Sequence, residues 1–183
     1  ASSLGVIRKH RGVRSSSSDA AGALRQRVTR IVASDPGLAC LQQRVVVTDD
    51  KSFALGTHGW LKPRVFIGSA FASRLSDEML ASALGHEAEH VRALDPLRYL
   101  ILQLALAVNP FGRFLLEPHA ARWQAAREAH CDREAVIHGA APLPLADAIV
   151  RAARPGAREA VALGARDTAV LKLGFSLDDC VVW

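Results

Sequence analysis

The chain has 183 residues, enough to bury a real core within one domain. Its formal charge is +5, from 23 Lys+Arg against 18 Asp+Glu, yet no aromatic-interleaved basic patch or nucleic-acid motif accompanies the surplus, which argues against nucleic acid as a partner. No apolar run reaches bilayer-crossing length, and the three cysteines, Cys40, Cys131 and Cys180, are too scattered for a disulfide framework.

Residues 1–18 are basic and Ser-rich and read as a flexible arm, which leaves 19–183 as a single domain. There is no N-terminal Met and no signal-peptide pattern, so the chain reads as a piece or processed product of a longer protein. Asp19 suits the N-cap of a helix reaching residue 34, with Leu24, Val28, Ile31 and Val32 as its apolar stripe. Asp35-Pro36-Gly37 breaks it. The β-branched run 44–48 predicts a strand, 52–55 a short second one, and 64–67 a third behind Pro63, with 56–59 as a loop. Ser76 then caps a helix with Asp77 and Glu78 in its first turn, which stops at Asp95-Pro96. An apolar helix over 97–108, a long one over 119–138 and a short one over 145–153 follow, with Pro142 and Pro144 punctuating a linker. Residues 157–173 can form one more helix, and 174–183 suggest no element. Many helices and one small sheet predict an α+β, predominantly helical fold.

The chemistry concentrates at His86-Glu87-Ala88-Glu89-His90, an H-E-x-x-H pattern inside the helix capped by Ser76. Residues four apart on a helix lie about 40° apart around the axis and one turn apart along it. Both imidazoles can therefore reach one Zn²⁺ from the same side, and Glu87 lies where it can take a proton from water activated by the metal. The motif is short enough to arise by chance, so its context decides.

A catalytic zinc needs a third protein ligand and one open position. The candidates are His58, His119, Glu128, His130, Asp132 and His138. On the long helix Glu128 and Asp132 share a face with Ala121, Ala125, Ala135 and Val136. Two carboxylates on so apolar a face need partners. Zinc would satisfy Glu128 and a histidine would satisfy Asp132; alternatively both pair with neighbouring arginines such as Arg127 and Arg133. His130 and His138 fall off that face, His119 begins the helix too far from Glu128, and His58 reads as a loop residue.

With these residues in view, the chain resembles the gluzincin metallopeptidases. The likeness is to their integral-membrane branch, the CAAX prenyl protease/HtpX-like group and the protease domains of β-lactam sensors. It rests on ordered motifs: Phe53-Ala54-Leu55-Gly56 followed by 62–67; Leu75-Ser76-Asp77-Glu78 followed by His86-Glu87-Ala88-Glu89-His90; Val91-Arg92-Ala93-Leu94-Asp95-Pro96; and Arg127-Glu128-Ala129-His130-Cys131-Asp132. It covers roughly residues 44–140 and leaves 141–183 unmatched. The resemblance implies a zincin-like domain with an active-site helix, one Zn²⁺ per chain held by His86, His90 and Glu128, Glu87 as catalytic base, and Asp132 supporting a ligand from behind.

The expected activity is zinc-dependent hydrolysis of peptide bonds by an endopeptidase acting on a peptide or protein substrate. A latent zinc-bound sensing module that cleaves only itself or one partner is the alternative. The resemblance also implies membrane association through segments outside this chain, in a bacterial protein whose domain faces the cytoplasm, or else a cytoplasmic protein.

Overall fold

The computed structural model describes residues 19–49, 53–109, 111 and 115–153. The expected arm at 1–18, the helix expected over 157–173, the tail and Cys180 lie outside the described residues, as does Ser52; of the strand expected at 52–55, residues 53 and 54 are not strand and only Leu55 is, as the first residue of a strand that runs on to His58.

Helix α1, Asp19–Ser34, buries the stripe Leu24, Val28, Ile31 and Val32, as its 3.6-residue spacing requires. Asp35 accepts a hydrogen bond from the Gly37 amide at 2.8 Å and opens a 3₁₀ turn over Pro36–Leu41, which buries Leu38 and Leu41. Strands β1 (Val45–Thr48), β2 (Leu55–His58) and β3 (Arg64–Gly68) form a sheet in the order β1-β3-β2. β1 runs parallel to β3 with Val45 opposite Val65, and β2 runs antiparallel with Leu55 opposite Ile67. The loop expected at 56–59 is thus mostly strand. Gly56 and Thr57 pair with Phe66 and Val65, and pairing to a central strand outweighs the weak strand preference of a glycine.

Helix α2, Ser69–Ala72, is a single turn that buries Phe71 and Ala72. Helix α3, Asp77–Ala93, is capped by the Ser76 hydroxyl, which accepts from the Met79 amide at 3.2 Å. Its residues Leu80, Leu84 and Ala88 recur every four positions and are fully buried. They face a core shared with α1, the 3₁₀ turn and the sheet. Arg27 of α1 locks this arrangement, pairing with Asp77 at 2.5 Å and donating to the Ala72 and Leu75 carbonyls at 3.2 and 2.7 Å.

Helix α3 ends at Ala93, as the expected stop at Asp95-Pro96 requires, but the next helix begins earlier than residue 97. Leu94 takes a left-handed conformation (φ 53°), and helix α4, Asp95–Val108, begins at once with Pro96 in its first turn, where a missing amide hydrogen costs nothing. Helix α5, Glu117–Ile137, packs along α3, and helix α6, Pro142–Ala152, closes over α3 through Leu145 and Ala148. Pro142 and Pro144 belong to the first turn of α6 and form no linker, for the same reason as Pro96. Gly85 lets the α5–α6 turn approach α3: a Cβ there would sit 3.4 Å from that of Ala140.

The chain is therefore α+β, mostly helical with a small mixed sheet. Most of α4 projects from this body, leaving Ile101, Leu104 and Val108 58%, 43% and 80% exposed. Among the described residues no helix is long and apolar enough to cross a membrane.

Ile67, fully buried on the central strand, and Leu61, 78% exposed, set the scale of the core. Ile67→Ala is expected to lower stability by about 2–5 kcal/mol, and Leu61→Ala to change it by no more than about 0.5 kcal/mol, as read from denaturant unfolding.

Candidate metal centre

His86 and His90 lie one turn apart on α3 and are both buried. Each ring is fixed from behind by a carboxylate. His86 Nδ1 lies 2.7 Å from Asp132 Oδ1 on α5, and His90 Nδ1 lies 2.7 Å from Asp95 Oδ2 at the start of α4. A carboxylate accepts the Nδ1 proton and leaves Nε2 free to act as a donor atom to a metal. The two Nε2 atoms accordingly face each other at 3.0 Å.

Glu128 of α5 completes the cluster. Its Oε2 lies 3.5 Å from His86 Nε2 and 3.4 Å from His90 Nε2, while its Oε1 accepts a hydrogen bond from the Tyr99 hydroxyl at 3.0 Å. Oε2 is buried and has no hydrogen-bond partner. A tetrahedral ion with ligands at about 2.0–2.1 Å sets neighbouring donor atoms about 3.3 Å apart. The three atoms have that spacing, and the orphaned oxygen points to what is to be satisfied. His86, His90 and Glu128 thus form a group able to hold a metal ion.

Glu87, fully buried beside them, is held by Thr57 of β2, whose hydroxyl donates to Oε2 at 2.5 Å, while Oε1 has no partner. Behind His90, Arg127 Nε donates to Asp95 Oδ2 at 2.7 Å, and Cys131 Sγ sits 3.6 Å from His90 Nδ1. His90, Asp95 and Cys131 also have metal-like spacing. His90 Nδ1 and Arg127 already engage Asp95, however, so this trio is the back wall of the same centre.

The residues singled out in the sequence fall into two sets. His86, Glu87, His90, Glu128 and Asp132 come together. The arginine alternative for the two acids does not appear, because Arg127 turns to Asp95 and Arg133 to Glu134 and His130. The face carrying Glu128 and Asp132 is less buried than expected, with side chains 32% and 40% exposed. Helix α5 meets the body along Ala120, Cys131 and Ala135 instead. His58 ends β2 rather than standing in a loop, half-buried between the Phe53 and Phe66 rings at 5.8 and 5.5 Å. His119 and His130 are exposed, and His138 bonds Glu89 at 2.9 Å. Asp95, Tyr99, Thr57 and Arg127 escaped the sequence reading as site residues. The one faint signal was that Asp95 follows His90 by five residues across a helix break.

The electrostatics follow from this packing. Burial works against charge on both imidazoles. For His86 the hydrogen bond to Asp132 and the nearby Glu128 carboxylate outweigh it and raise the pKa; His90, against Asp95, Cys131 and Glu128, is pushed up to about 12. Burial likewise opposes charge on Glu128, but the two imidazoles close to its Oε2 hold the carboxyl well below its usual range. Burial and the Glu128 charge beside it push the Tyr99 hydroxyl up. Raised histidine pKa values contribute stability in full below the unfolded value of 6.5, and that contribution fades only as pH climbs through the folded value.

No family model, no curated protein and no solved structure matches this chain.

An ion takes Nε2 lone pairs only from neutral rings, so binding expels protons and affinity rises with pH. Titration with a divalent ion near pH 7 is expected to release about one to two protons per ion, and affinity to fall about 10- to 100-fold per pH unit on acidification; an indicator dye and calorimetry read both. Asp132→Asn frees the His86 ring and is expected to weaken metal affinity by about 10- to 100-fold in the same titration.

Proposed function

We propose that this chain is a zinc-dependent endopeptidase of the gluzincin kind, with a zincin-like arrangement of sheet and active-site helix. One observation carries the reading: three donor atoms converge at metal spacing beside a buried glutamate that has one oxygen tethered and one free. His86, His90 and Glu128 would hold the Zn²⁺, and Asp132, Asp95 and Tyr99 would hold those ligands in turn. When bound, zinc supplies Lewis-acid polarisation of the scissile carbonyl and a lowered pKa for water.

The rest of the work belongs to the chain. Thr57 pins Glu87 Oε2, so Oε1 is the oxygen that takes the proton of the attacking water. The water oxygen bonds to the carbonyl carbon, the C–N bond breaks with its electron pair on nitrogen, and Glu87 returns the proton to that nitrogen. The substrate adds as a strand to the outer edge of β2, which has β3 as its only strand partner among the described residues. Because Thr57 joins β2 to Glu87, a peptide on that edge runs past the base. The exposed apolar side chains of α4 support a membrane-associated setting.

A second reading, a latent module that cleaves only itself or one partner, is favoured by one feature. Glu87, His86 and His90 are all buried, so the approach to them is narrow and selects what reaches them. Peptide-library cleavage by the zinc-loaded protein separates the two. Glu87→Gln is expected to lower the rate by about 10²- to 10⁴-fold with zinc content unchanged. Normal cleavage by that variant removes the endopeptidase reading. Zinc binding with no cleavage by the wild type supports the latent module.

A further inference from the structure

The structure contains a recess that the proposed chemistry leaves unassigned. It opens beside Glu87 and His86, between Leu55 of β2, Ala83 of α3, and Leu145 and Ile149 of α6. Helix α6 lies outside the stretch that carries the family resemblance. The walls other than Glu87 and His86 are apolar, and neither Glu128 nor Tyr99 takes part. The recess leaves room for about 20 Å³, roughly one water-sized group.

We infer that this recess receives the side chain of the residue supplying the leaving amine, and that it restricts that residue to a small one: Gly, Ala or Ser. The inference rests on the endopeptidase reading and names its substrate class. The argument for the side of the scissile bond comes from proton delivery. Glu87 hands its proton to the leaving nitrogen, so that nitrogen must come to Glu87. The Cα bonded to the nitrogen comes with it, and its side chain falls into the space that Glu87 lines. A residue on the carbonyl side lies toward His90 and Glu128, neither of which lines this space.

The argument for size comes from what would have to move. A branched or aromatic side chain would have to displace Leu145, which is buried with Ala148 against α3. Forcing extra carbon into a packed wall drives side chains off their preferred rotamers. A charged side chain fares worse, because the only polar wall residues, Glu87 and His86, are already committed to the centre. Ile149 is only half-buried, so it is the wall that substitution can cut back while the fold stands.

The test uses binding rather than turnover. Succinyl hydroxamates place a metal-binding group next to a single variable side chain, which occupies the position of the leaving-amine residue. Zinc-loaded full chain is titrated calorimetrically with the methyl, isobutyl and benzyl members, with zinc content and melting checked for each protein. The methyl compound is expected to bind at least about tenfold more tightly than the isobutyl one, and Ile149→Ala to abolish or invert that ratio. Equal or tighter binding of the isobutyl compound by the wild type overturns the inference, and so does an unchanged ratio in Ile149→Ala; both leave the endopeptidase reading standing. Failure of every member to bind the zinc-loaded protein removes that reading and this inference together.

Discussion

Everything at the centre depends on one buried carboxylate. Asp95 is fully buried and engages two partners at 2.7 Å, the His90 ring and the Arg127 guanidinium. His90 belongs to α3 and Arg127 to α5, so a single side chain at the head of α4 ties three helices together. Arg127 directly precedes Glu128 in α5. The bond that anchors Arg127 therefore also sets the position of the third donor. A buried charge of this kind is tolerated only while paired, and removing one partner of such a set commonly costs about 3–5 kcal/mol. The left-handed Leu94 makes the arrangement reachable, because it turns the chain within one residue and brings Asp95 back beneath His90. A non-glycine residue in that region carries strain, which the surrounding contacts must offset.

Helix α3 serves two masters. Leu80, Leu84 and Ala88 face the core, while His86, Glu87 and His90 turn toward the candidate metal centre, and all six are buried. The helix is accordingly enclosed on most sides: the sheet and 3₁₀ turn meet one flank, and α5 and α6 meet others. Such enclosure explains why the donor atoms sit at ligand spacing even where charged neighbours repel or attract, since the backbone carrying them has little freedom to relax. It also explains why polar residues can occupy the interior of this helix. Each finds a partner from a different element: Asp132 from α5, Thr57 from β2 and Asp95 from α4.

What could be read from the sequence divides by distance along the chain. His86, Glu87 and His90 share one helical turn, so their juxtaposition follows from helix geometry alone. Glu128 and Asp132 were legible as carboxylates that needed partners, and the family-like motif around them supplied the match to the histidines. Thr57, Tyr99 and Arg127 were not legible, because nothing local marks a hydroxyl or guanidinium whose partner lies about 30 residues away. The fold follows the same rule. The apolar stripe of α1 and the cap of α3 are local signals and were plain. The frame of β2 is set by its pairing with β3, and the prolines at the head of α6 look like a linker until the helix is seen to begin with them. The projecting α4 was legible as an apolar helix, but its lack of cover was not.

The separations between partners also imply an order of assembly. His90 and Asp95 are five residues apart, so that pair can close as soon as the α3–α4 corner forms. Thr57 joins Glu87 across 30 residues, Tyr99 joins Glu128 across 29, and Asp132 joins His86 across 46. Contacts of greater separation bear a larger loop-closure entropy and form later. A chain emerging from its N-terminus thus carries both imidazoles and their first carboxylate before the third donor has been synthesised. Until α5 arrives, the candidate centre consists of two imidazoles on one helical turn; docking of that helix brings the third donor atom to them and completes the group able to hold an ion.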